Sequence, residues 1–139
     1  MTLAPYHSIV YGPIKTRRLG TGLGINPVPS PTTDCGPDCL ICKTGTAGAV
    51  PIISRAKATP SSGVIVTSIA RRVIEIHRAG DKLESFTVAG NQDPTMHPNL
   101  LEISENLRDL RGKWFPKAKL CLVSDCEALV SPELRAEIE

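Results

Sequence analysis

Two apolar stripes of helical period, each followed by a short apolar run, constrain this chain more than any other feature. Ile65, Ile69, Val73 and Ile76 recur at spacings of four, four and three, which places them on one face of a helix. Ser61 or Ser62 can cap its start, and Gly80 is a natural stop. "KLESFTVAG" (82–90) then reads as a strand and "GNQDPTMHP" (90–98) as a turn segment. Leu100, Ile103, Leu107 and Leu110 form the second stripe, and "AKLCLVSD" (118–125) reads as a buried strand. "SPELRAEIE" opens a further helix, with Ser131 as cap and Pro132 in the first turn. Upstream, "HSIVYGPI" (7–14) and "LGTGLGINPVP" (19–29) read as extended pieces, the second broken by glycines. This alternation predicts an α/β layer on a mainly parallel sheet. Ligands in such sheets collect beyond the carboxyl ends of the strands. Three loops are expected there: the one that holds Cys35, "GNQDPT" and "SDCE".

The 139 residues suffice for one domain with a core. Only five aromatics are present, so that core rests on Val, Ile, Leu and Ala. A net charge of +2 with scattered cations implies no particular polyanionic partner. No apolar run reaches about 18 residues, so no membrane span is expected. "MTLAPYHSIVYGP" lacks the pattern of a secretory signal, so the expected location is the cytoplasm, a reducing compartment. Five cysteines in that compartment read as free thiols or metal ligands.

Three of those cysteines lie close together. Residues 30–62 form a long stretch dominated by small and polar residues and proline, and within it "DCGPDCLICK" carries Cys35, Cys39 and Cys42. The spacing C-x3-C-x2-C puts three thiolates on one tight turn. Iron–sulfur clusters normally take four thiolates, so three leave one iron open to a ligand. Zinc would need a distant fourth donor, since Cys121 and Cys126 make no C-x2-C pair and His7, His77 and His97 are dispersed. Unligated thiols are the remaining alternative. "GTGLGI" lacks the third glycine of a dinucleotide fingerprint, and "GPIKT" lacks phosphate-loop spacing.

The segment "YGPIKTRRLGTGLGINPVPSPTTDCGPDCLICKTG" and the later "FTVAGNQDPTMHPNL" resemble a branch of the radical S-adenosylmethionine (radical SAM) enzymes. The shared features are Y-G-P, R-R-L-G and G-I-N-P before the three cysteines, then a G-N-x-(E/D)-P-T-x-H-P segment. The resemblance covers roughly residues 6–45 and 84–126 and implies an iron–sulfur oxidoreductase. It further implies that Cys35, Cys39 and Cys42 hold a [4Fe–4S] cluster whose open iron chelates S-adenosylmethionine, which is cleaved reductively to start radical chemistry. Ile41 would lie near the adenine, where the branch often has an aromatic residue. Gly90, Asn91, Gln92, Asp93 and Pro94 would form the site for the cofactor's amino group. Here Gln92 replaces a common glycine and Asp93 a glutamate. Ser124, with Asp125, would lie near the carboxylate and ribose. An electron donor such as flavodoxin or ferredoxin is the implied partner. Some relatives of the branch resemble tRNA-modifying enzymes, but the mild net charge gives RNA no independent support, and the substrate is undetermined.

From the residues alone, "DPT" also reads as a turn and helix cap. His97 reads as a packed residue at the start of a helix, Cys121 as core, and Arg17 and Arg18 as a solvated turn. By resemblance the fold is a partial (β/α)6 barrel. This chain would hold about three βα units of it, the N-terminal part of a single domain over 1–139, with a loop over 43–62 after the cysteines. The expectation is therefore a piece of a longer enzyme. The alternative function is a non-catalytic metal-binding module, with iron–sulfur or zinc.

Overall fold

A computed structural model describes residues 8–28, 59–90, 93–124 and 132–138. In these, four strands form one sheet in the order β1-β2-β3-β4. β1 (Val10–Thr16) and β2 (Gly20–Ile25) make an antiparallel hairpin. β2, β3 (Ser85–Val88) and β4 (Lys119–Leu122) run parallel. Helix α1 (Ser62–Arg78) lies between β2 and β3 in sequence, and α2 (Leu100–Trp114) between β3 and β4. A short α3 (Pro132–Ile138) follows. The α/β architecture is the expected one, but the sheet is mixed rather than parallel throughout, and it does not close into a barrel. The departure comes from the first two extended pieces. Only three residues, 17–19, separate them, and a parallel pair needs a much longer crossover.

The apolar stripes become the core. Ile65, Ile69, Val73 and Ile76 of α1, with Leu100, Ile103 and Leu107 of α2, pack on Leu23, Ile25, Phe86 and Val88 of the sheet. Ser61 caps α1, its Oγ accepting from Val64 N. Gly80, at φ +75°, ends it: Gly80 N donates to His77 O and Asp81 N to Ile76 O, a Schellman closure. Burial of β4 is less than its apolar run suggests. Leu120 is 37% and Val123 50% exposed, and β4 is an edge of the sheet among the described residues. Cys121, expected in the core, pairs with Thr87 on the sheet face turned away from Phe86 and Val88 and is only half-buried.

That other face owes its shape to glycine. Gly22 and Gly24 alternate with Leu23 and Ile25, so β2 presents apolar side chains to the helices and bare backbone to the opposite side. A Cβ at Gly24 would overlap the ring of Tyr11. The glycine therefore lets Tyr11 lie across the sheet, where its Oη donates to Ala89 O at 3.0 Å. No helix among the described residues is long and apolar enough to cross a membrane.

Candidate functional site

Parallel pairing aligns the carboxyl ends of β2, β3 and β4, because Ile25 stands beside Val88 and Val88 beside Leu122. Each strand delivers a polar residue just past its end. From β2 comes Asn26, fully buried, whose backbone N–H donates to Ile9 O at 2.6 Å. From β3 come Gly90 and then Asp93. From β4 comes Ser124. The ladder continues into this rim, with Ala89 N donating to Ile25 O and Val123 N to Val88 O.

Asp93 is the N-cap of a 3-10 turn, Pro94–Met96. Its Oδ1 accepts from Thr95 N at 2.9 Å and from Thr95 Oγ1 at 2.5 Å. The turn-and-cap reading of "DPT" is thus realised, but the carboxylate does more than cap. Ser124 Oγ lies 3.0 Å from Oδ1 and 2.9 Å from Oδ2, and so ties the loop after β4 to the loop after β3. A charged acceptor held by several donors is fixed in direction and carries strong hydrogen bonds. Pro94 is fully buried beneath it. Gly90 packs so closely on Asn26 that a Cβ there would overlap the amide side chain.

His97 is 3% exposed and both ring nitrogens face backbone. Asn99 N–H donates to Nδ1 at 3.0 Å, so Nδ1 carries no proton. Nε2 lies 2.9 Å from Pro60 O, which can only accept, so the ring proton sits on Nε2. His97 thereby pins the 94–99 turn to the residues that open α1. This is the packed role the sequence suggested. At the same level, Ser62 Oγ donates to Glu102 Oε2 at 2.9 Å and joins the first turns of the two helices.

Of the sequence-derived site residues, Gly90, Asp93, Pro94 and Ser124 are brought to one rim. Cys35, Cys39, Cys42, Ile41, Asn91 and Gln92 lie outside the described residues, as do Asp125, Cys126 and most of the 43–62 loop. Among the described residues no group of three or more His, Cys, Asp or Glu could hold a metal ion. Arg17 and Arg18 sit exposed in the β1–β2 turn, at the far end of the sheet from the rim. Sequence reasoning missed Asn26 and Tyr11 as members of the site. Their signal was strand alternation: in "GTGLGIN" every second position from Gly20 to Asn26 faces away from the helices, and Asn26 is the first with a polar side chain.

The chain is similar to proteins named UPF0026. It is 32% identical over 102 residues to the UPF0026 protein of Methanocaldococcus jannaschii, which is 73% of this chain and 30% of that protein. The UPF0026 protein of Helicobacter pylori (strain J99) is 29% identical over 132 residues, 94% of this chain and 39% of its own length. The UPF0026 protein of Synechocystis sp. is 30% identical over 104 residues, 75% of this chain and 36% of that protein. The chain thus spans roughly a third of the length of these relatives. No family model matches it. No solved structure matches it. These findings correct the radical SAM identification: the relatives bear the UPF0026 name, and no model of a radical SAM family matches. The reductive-cleavage activity, the oxidoreductase class and the metal-module alternative fall with it.

Proposed function

We propose that this chain is the ligand-binding part of a longer α/β protein, taking a small molecule with an ammonium group over the carboxyl ends of β2, β3 and β4. The observation that carries this reading is the Asp93–Ser124 link. It joins two strand-end loops around one oriented carboxylate, beside the Asn26–Gly90 contact. A turn cap needs only the bond to Thr95 N, and the second loop is superfluous to it. A carboxylate at the mouth of a parallel sheet suits an ammonium donor in the place where such sheets bind ligands. S-adenosylmethionine carries such a group in its amino-acid moiety and enters as the proposed cofactor, with Asp93 and the strand-end carbonyls as acceptors. No cleavage of it is proposed.

The relatives' greater length and the edge at β4 support a finer statement of the fold. The four strands are the first part of a larger sheet, to which further βα units add beside β4 in the full protein.

Isothermal titration with S-adenosylmethionine tests the site. Saturable binding is expected for the native chain, with a roughly ten- to hundredfold loss in Asp93→Asn, the worth of one charge-assisted hydrogen bond. Equal affinity in Asp93→Asn, or no binding to the native chain, rejects the reading.

A further inference from the structure

We infer that the opposite, amino end of the same sheet is a docking surface for single-stranded nucleic acid. The parallel strands begin there and both long helices finish there, so three separate segments, 15–18, 77–84 and 111–119, converge. Backbone pairing connects them: Lys15 pairs with Thr21 in the hairpin, Glu84 N donates to Thr21 O, and Lys119 N donates to Glu84 O. These segments hold nine of the sixteen Lys and Arg but only two of the fourteen Asp and Glu. Their balance, nine less two, is +7 against +2 for the chain, so all other residues together sum to −5. Eight of the nine cations are exposed. The cations that look scattered along the sequence gather at one end of the sheet.

Helix chemistry explains only part of this. Arg78, Arg111 and Lys113 stand in last turns, where cations offset the helix dipole. Lys15, Arg17, Arg18, Lys82, Lys117 and Lys119 do not; they come from the β1–β2 hairpin and from the residues that lead into or open β3 and β4. A surface of this sign attracts a polyanion.

The aromatic side chains select which polyanion. His77, half-buried Trp114 and Phe115 cluster at this end, with Trp114 5.0 Å and Phe115 5.8 Å from the exposed His77 ring, both edge-on. Lys113 Nζ lies 5.4 Å from the Trp114 ring. Cations beside aromatic faces are what unpaired bases and their phosphates engage together, whereas an acidic protein surface uses the charges alone.

Trp114 is the sole tryptophan of the chain, so its fluorescence reports on this surface directly. The test is a titration with oligouridylate of roughly 12 nucleotides, within the usual span of such sites. It is followed by anisotropy of a fluorescein-labelled strand and by Trp114 emission with the unlabelled strand. Binding at low salt with quenching of Trp114 is expected. The double variant Arg17→Glu/Arg18→Glu should bind at least tenfold more weakly and lower the slope of log affinity against log salt by about 1.4, at about 0.7 per lost phosphate contact. Lys82→Glu, on a different segment, gives a second reading of the same loss. The inference is overturned by an absence of binding at low salt or by variants that bind like the native chain. It is equally overturned if polyglutamate of matched charge binds as tightly and quenches as much, which would assign the surface to an acidic protein.

Discussion

The two ends of one small sheet are built in opposite ways. At the carboxyl end, polar side chains are few and buried or half-buried: Asn26 is fully buried, His97 is held through both nitrogens, and Asp93 is fixed by Thr95 and Ser124. At the amino end, charges are many and exposed, on segments of the hairpin and the strand beginnings. Locked polar groups have already lost their rotamer freedom and suit a ligand of one shape. Exposed surface cations suit a partner recognised by charge and salt dependence rather than by shape. The same strand direction creates both ends, since parallel pairing gathers all loops of one kind at each.

Both ends rest on Phe86, which lies fully buried between them and packs towards Phe115 at a ring distance of 6.4 Å. Phe86→Ala should cost about 3–5 kcal/mol in urea denaturation. Both ends should then fail together, in cofactor titration and in oligonucleotide binding alike. A loss confined to one end would show that the ends do not share one core. A smaller and one-sided effect is expected at Gly90. Gly90→Ala forces its methyl into the Asn26 amide and should cost about 1–3 kcal/mol. It should abolish binding at the rim while leaving Trp114 quenching by oligouridylate intact in whatever fraction stays folded.

Much of the framework was legible in the sequence. The stripe Ile65, Ile69, Val73, Ile76 is the buried face of α1, and Ser61 and Gly80 bound it as cap and stop chemistry requires. A helix declares its buried face within a few turns, because the 3.6-residue period repeats several times. Strands declare less. A four-residue run such as Lys119–Leu122 has the same composition whether it is central or at an edge, and only the presence of a neighbour decides. The direction of β1, by contrast, was legible in the three residues, 17–19, that join it to β2, too few for a parallel crossover, and a reading of the strands by composition alone passes over it. At the site, Asp93 and Ser124 were found as a turn residue and a strand-end residue, but their mutual hydrogen bonds join positions 31 apart and cannot be read from spacing. The charge of the amino end was hidden for the same reason. Lys15, Lys82 and Lys119 are remote in sequence and share one end of the sheet only once the strands align. The motifs misled in a different way: short segments around cysteines and "DPTMHP" suggested a radical SAM enzyme, whereas the relatives that match over most of the chain carry the UPF0026 name.

A finer separation comes from Ser124→Ala. It deletes one donor to Asp93 and leaves Thr95 N and Oγ1 in place, so stability should fall by about 1 kcal/mol in urea denaturation. If the rim is a site and not merely a cap, affinity for S-adenosylmethionine should fall by more than that loss of stability accounts for, because the carboxylate is released from the second loop. An affinity unchanged beside a lower stability would make Ser124 a strut of the fold alone.

The smallest effect on stability is expected where the effect on binding at the amino end is largest. Arg17 and Arg18 are exposed in a three-residue turn. Replacing such residues ordinarily changes stability by no more than about 0.5 kcal/mol. Reversing both charges even removes mutual repulsion within a surplus of +7, so Arg17→Glu/Arg18→Glu should unfold at the same urea concentration as the native chain or a slightly higher one. A cation retained for the fold would show the opposite, a loss on removal. Unchanged or raised stability combined with weakened, less salt-sensitive oligonucleotide binding therefore separates a surface kept for a partner from one kept for the protein itself. Rim binding in the same variant should stay at the native value, because the turn and Asp93 lie at opposite ends of the sheet.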